Sequence, residues 1–333
     1  MTHPKHSNTS AVLLAAFAMS GLGLTASAQP ASAQTAYVSN ERSSTVSVID
    51  LASGTVTNTF EVGQRPRGIV LSKDGTLLYI CASLDNAVEV RDARTGALVA
   101  VLPSGNDPEQ FFLSNDGSTL FVANEDNAAT TAIDLTSRRV AWQLDVGEEP
   151  EGIAQSPDGK WLLVTSEEEN LVSWIDLATR RVVHETQTDV RPRHVEFTPD
   201  GSEVWVAAEI GQKVHVVDVA TKEIVETLDF APPGALPYKV LPCGIRFTSD
   251  GKTAVIALGR ADNIAIVDVA TRTVRGYVRT GGRPWHLAIT ADDKQAVVGN
   301  GTSDDVAVVD LASMTVTRTI PAGEGPWGVV LAQ

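Results

Sequence analysis

Cysteine is scarce: Cys81 and Cys243 are the only two in 333 residues. Neither sits in a CxxC or CxxCH pattern, so nothing points to a zinc ribbon or to covalently attached haem. They fall in different copies of the repeat described below, which argues against a disulfide between them. Basic residues are also few, 26 against 41 acidic ones, for a net charge of −15. Nucleic acid and anionic lipid both need a basic face, so neither is expected as the main partner. Beyond the first 33 residues no apolar run is long enough to cross a bilayer. Also missing are a Gly-x-Ser-x-Gly elbow, a phosphate-binding loop and a His-Glu-x-x-His pair. The sequence therefore nominates no catalytic residue.

What is present begins with a leader. Lys5 precedes the apolar run Ala11 to Leu24, followed by the small-x-small sites Ala26-Ser27-Ala28 and Ala31-Ser32-Ala33. This pattern predicts a signal peptide over residues 1–33, cut after Ala28 or Ala33. Residues 34–333 are then one exported domain, most simply periplasmic, with no membrane insertion after cleavage.

That domain is a repeat. Aspartates ending a Val-Ile-Asp-type strand stand at 50, 92, 134, 176, 218, 268 and 310. Prolines following a turn stand at 66, 108, 150, 192, 242, 284 and 326. Both series step by 42 except for one step of 50. An Asp-Gly turn recurs from Asp74-Gly75 to Asp250-Gly251, with Asp292-Asp293 as a degenerate sixth copy. Between these markers lie four short β-branched strands, as in Ile69–Leu71, Leu78–Cys81, Ala87–Val90 and Leu98–Leu102. Four strands in about 42 residues make a propeller blade. The mature chain starts with the second strand of a blade, at Tyr37-Val38-Ser39-Asn40, and stops after the first strand of one, at Pro326 to Leu331. The expected fold is all-β: a seven-bladed propeller of four-stranded blades. The C-terminal strand A closes the ring on the N-terminal strands B to D, removing the open edge.

Function should follow the irregularities. The extra eight residues lie within Phe230 to Leu241, a proline-rich stretch on the face shared by the D–A and B–C loops. It reads as a lid over the central channel. One residue after each proline stand Arg67, Glu109, Glu151, Arg193, Cys243, Trp285 and Trp327. Two after it stand Gly68, Gln110, Gly152, His194, Gly244, His286 and Gly328, where side chains depart from a default of glycine. The expected ligand-binding residues at the channel mouth are Arg67, Glu109, Glu151, Arg193, His194, Trp285, His286 and Trp327. Arginine forks suit carboxylates, and tryptophan faces suit flat rings or cations. Two histidines and Cys243 are a weak metal signal, and the metal is left open. Glu41, Glu125, Glu167 and Glu209 join the same face; Glu167-Glu168-Glu169 reads as a solvated acidic rim. Cys81 aligns with small residues and reads as core, and Trp161, Trp174 and Trp205 as blade packing.

Tyr37-Val38-Ser39-Asn40 followed by Thr45-Val46-Ser47-Val48-Ile49-Asp50 resembles the YVTN-type propeller repeat of exported prokaryotic proteins. Gly63 to Gly68, Asn124-Glu125-Asp126, Arg191-Pro192-Arg193, the Phe230 to Gly244 insertion and Pro326 to Val330 resemble a narrower group. This is the seven-repeat propeller family associated with PQQ-dependent alcohol catabolism. The resemblance covers the mature chain and implies a periplasmic context, without catalytic residues. PQQ dehydrogenases themselves are eight-bladed and repeat a tryptophan docking motif, which only Ala132 to Trp142 resembles here, so the chain is not read as the dehydrogenase.

Three functions fit these readings. The first is an accessory protein holding a small anionic or aromatic ligand such as PQQ, or docking a periplasmic dehydrogenase or cytochrome. The second is a lactonase- or oxidoreductase-like enzyme using a metal or an acid–base pair. The third is a pure interaction scaffold. A monomer is expected in each case. Intact mass of the chain exported from a bacterial host should correspond to a start at Gln29 or Gln34; a mature protein beginning at Met1 contradicts the leader.

Overall fold

A computed structural model describes residues 1–4 and 34–332. The expected cleavage sites and the apolar run before them lie outside the described residues.

Each repeat folds as the alternation of its apolar residues requires. In the second blade, strand A is Pro66–Leu71, B is Leu77–Ala82, C is Ala87–Asp92 and D is Leu98–Leu102. They pair antiparallel in that order, and seven such four-stranded sheets make the ring. The first blade is assembled from both ends of the domain. Its strand A is Pro326–Ala332, paired antiparallel with Thr35–Asn40, and Val38 lies opposite Val329. The predicted closure is what the chain does.

The marker residues hold turns. Asp50, Asp134 and Asp310 each accept a hydrogen bond from the backbone N–H three residues on, at 2.7, 2.6 and 2.7 Å. At the A–B turn a hydroxyl donates to the turn aspartate, as from Ser72 to Asp74 at 2.6 Å. The degenerate copy keeps that bond, from Thr290 to Asp292 at 2.7 Å. Asp293 takes the glycine place with φ of 57° and accepts from the Ser249 backbone.

Cores lie between neighbouring blades. Trp205 is fully buried between the fifth and sixth blades and meets Phe247 edge-on at 5.3 Å. Trp174 is buried likewise and meets Trp161 edge-on at 6.0 Å. Cys81 and Cys243 are buried free thiols in separate clusters. The Phe230 to Leu241 insertion is anchored: Phe230, Val240 and Leu241 are buried, and the Ala231 N–H donates to the Tyr277 hydroxyl at 2.8 Å. It is a fixed wall of the channel face, with Leu236 and Tyr238 exposed.

Trp205→Ala empties a fully buried site and should cost about 3–5 kcal/mol in denaturant unfolding. A loss below about 1 kcal/mol would contradict the packing described.

Candidate functional site at the channel

The seven A strands bring side chains to the axis through one local device. The residue before each repeat proline has a positive φ: 54° at Arg65, 46° at Asp107, 52° at Glu149, 65° at Arg191, 43° at Leu241, 55° at Arg283 and 71° at Gly325. Just after the proline the pairing breaks, as between Pro66 and Ile69, so two residues bulge toward the channel. Neighbouring strands then approach so closely that side chains cannot follow in every blade. A Cβ on Gly152 would lie 2.9 Å from the Arg193 carbonyl oxygen, and one on Gly244 2.8 Å from that of Trp285. Large residues and glycines therefore alternate around the ring: Gln110, His194 and His286 are each followed by a glycine in the next blade.

The position directly after the proline builds a buried ion network. Arg67 donates to Glu41 at 2.9 Å and to Glu109. Arg193 contacts Glu151 at 3.1 Å and Glu209 at 2.8 Å, with Glu167 at 3.6 Å. Arg191 reaches Glu167 at 2.6 Å, Arg65 joins Asp107 at 2.9 Å and Glu109 at 3.3 Å, and Arg283 stands 3.9 Å from Glu209. Six carboxylates thus face five guanidiniums. Burial alone would lower the Arg67 and Arg193 pKa values, but the surrounding glutamates hold both above the ordinary range. Burial acts on the acids as well. Burial and then Glu151 push Glu109 well up, and burial pushes Glu167 up to about 8 despite Arg193.

Several expectations are corrected by this network. Glu167 is not part of a solvated rim: it is buried, and only Glu168 and Glu169 are exposed. Glu109 and Glu151 are buried and engaged by Arg67 and Arg193, not open at the mouth. The tryptophans are not free stacking surfaces. Arg283 lies 4.0 Å over Trp285, while Trp327 is 1% exposed beneath Arg67 and against His286. The histidines lie deeper than the mouth. His194 and His286 are buried with ring centroids 5.3 Å apart, and burial lowers both pKa values, so both stay neutral. No third metal ligand gathers with them among the described residues. The one carboxylate trio that does gather, Asp107, Glu109 and Glu125, already has Arg65 ion-paired to two of its members.

Outside the network lies the open site. A cavity of about 700 Å³ on the channel face has Arg67, Arg193 and Trp285 in its floor. Of the eight expected residues, these three reach it. Its walls come from loops outside the internal alignment: Tyr238 and Lys239 of the insertion, Arg260 of the sixth blade, and the pre-proline residues Arg191 and Arg283. Lys239 and Arg260 are exposed and form no ion pair among the described residues. The lining contains no serine, threonine, cysteine or histidine. The arginine at the pre-proline position was the available signal, since Arg65, Arg191 and Arg283 repeat it.

Glu167 gives a pH test. Between its ordinary value of 4.5 and about 8 the folded chain keeps a proton that the unfolded chain releases, so this group's contribution to stability falls as pH rises through that window. Glu167→Gln should flatten the decline of the thermal midpoint between pH 5 and 8 (about the window just defined); an unchanged slope would contradict a buried protonated Glu167.

A family model, the seven-bladed β-propeller lactonase, matches residues 153–326, just over half of the chain. No curated protein matches significantly. Among solved structures, hydrazine synthase of Kuenenia stuttgartiensis is 22% identical with a TM-score of 0.70, covering 78% of this chain and 88% of its own. A proposed 6-phosphogluconolactonase of Bacteroides uniformis is 19% identical with a TM-score of 0.74, covering 90% and 99%. Another from Bacteroides fragilis is 17% identical with a TM-score of 0.75, covering 92% and 100%. At such identities the structural likeness speaks for the fold alone. With the family model spanning its later blades and the ring closed as described, the chain belongs to the seven-bladed β-propeller lactonase family.

Proposed function

We propose that the chain is an exported binding protein whose channel-face cavity captures a small polyanion carrying a flat ring, in an accessory role to PQQ-dependent alcohol oxidation. One observation carries this reading: Lys239 and Arg260 line a 700 Å³ cavity and make no ion pair among the described residues, with Arg283 beside them 3.9 Å from Glu209, in a chain of net charge −15. An excess of unpaired cations in one concavity of an acidic protein favours an anion. PQQ is a planar tricarboxylate, which matches the three cations, and the exposed Tyr238 ring offers the stacking surface that the buried tryptophans do not. The resemblance to the PQQ-associated propellers supports the ligand and the periplasmic setting. A dehydrogenase or cytochrome of that compartment is the partner this role calls for.

A second reading, hydrolysis of an anionic sugar lactone, is favoured by the family match and by the 6-phosphogluconolactonase names of two structural relatives. In this cavity the water-activating base would have to be Glu41 or Glu209, both engaged by arginines. That engagement weighs toward binding.

Calorimetry should find PQQ bound at about 1 μM or tighter. The Lys239→Ala/Arg260→Ala double variant should weaken it about tenfold, a modest loss because both groups are exposed. Absence of heat with PQQ, together with hydrolysis of 6-phosphogluconolactone that Glu209→Gln abolishes, would replace this reading with the enzymatic one.

A further inference from the structure

The channel has a second mouth, on the face of the A–B turns. Four residues after each repeat proline stand Val70, Phe112, Ala154, Glu196, Arg246, Ala288 and Val330, so this layer is apolar except for one acid and one arginine. Val70, Phe112, Val330, Glu196 and Arg246 line a cavity of about 310 Å³ together with His194.

The polar groups there are committed on one side only. Arg246 makes every one of its side-chain hydrogen-bond contacts through Nη1: with Glu196 Oε2 at 2.9 Å, His194 Nε2 at 3.0 Å and the Ile245 carbonyl at 2.9 Å. Its Nε and Nη2 have no partner among the described residues, and its side chain is 36% exposed. That free edge of the guanidinium is the one that grips a carboxylate with two parallel bonds. His194 Nε2 also lies 3.2 Å from the Ile245 carbonyl oxygen and 3.5 Å from Glu196 Oε2, so it belongs to the same cluster as Nη1. Lys73 also lines the cavity, so two cations face one acid, and that acid is already held by Nη1.

We propose that this mouth is a second, separate site that binds a small monocarboxylate with an apolar body. The carboxylate lies on the Nε/Nη2 edge of Arg246, and the body packs on Val70, Phe112 and Val330. The Arg–Glu network and the histidine layer lie between this site and the cavity of Lys239 and Arg260, so the two sites take different ligands independently.

Benzoate is the probe, with benzyl alcohol as its uncharged counterpart, in calorimetry on the full mature chain. Benzoate should bind at least about tenfold more tightly than benzyl alcohol. Arg246→Lys, which keeps the charge but loses the fork, should weaken benzoate about tenfold. The Arg246→Leu/Glu196→Leu pair, which leaves no unpaired buried charge, should abolish its binding while the thermal midpoint shows a folded chain. Arg283→Ala on the opposite face should leave benzoate affinity within about twofold. No benzoate binding in the native chain, equal affinity for the alcohol, or loss of benzoate on Arg283→Ala would each overturn the proposal. None of these outcomes depends on whether PQQ binds.

Discussion

Crowding at the axis governs this molecule. Seven A strands converge there, and the backbones come within about a Cβ of one another at Gly68, Gly152, Gly244 and Gly328. Only every second blade can place a side chain two residues after its proline, and Gln110, His194 and His286 take those places. The position just before it is filled with charge in four blades, by Arg67, Glu109, Glu151 and Arg193, and by Cys243, Trp285 and Trp327 in the other three. Burying Arg67 and Arg193 among carboxylates is costly unless each finds partners. Both arginines are met by glutamates from neighbouring blades, and burial raises the pKa of Glu109 and Glu167 among them. The channel is thereby plugged by its own residues and offers two mouths.

This plug explains why the functional cations are peripheral. Arg67 and Arg193 hold the central positions, yet their forks are already occupied by Glu41, Glu109, Glu151 and Glu209. A ligand reaching them would have to displace a buried carboxylate. Lys239 and Arg260 lie one shell further out, where the charges are exposed and unclaimed. The strained pre-proline turn links the two levels. It aims Arg191 inward at Glu167, and Arg283 over Trp285.

The fold was legible because its signals repeat: aspartate, proline and Asp-Gly each report the same blade, and the strand at each terminus fits the other. The site was legible in part. Comparing blades singled out Arg67, Arg193 and Trp285, which do line the cavity, since equivalent positions converge on one axis. It could not tell an arginine that is free from one spent on a glutamate two blades away, as Arg67 is toward Glu151 at 3.8 Å. Nor could it rank Lys239, which stands in an insertion with no counterpart in the other blades, or Arg260, whose B–C loop position is Leu84, Asp126, Glu168 and Ile210 in four other blades. The glycine departures at His194 and His286 were visible, but their first cause is steric alternation, and their depth below the mouth depends on the network above them.

The central claim is that the inner arginines are structural and the outer cations receive the ligand. A crystal structure of the chain grown with PQQ tests it most directly. The account predicts density within hydrogen-bond distance of Lys239, Arg260 and Arg283, with Arg67 and Arg193 still bound to their glutamates. Density inserted between Arg67 and Arg193, with Glu109 or Glu209 swung away, would contradict it.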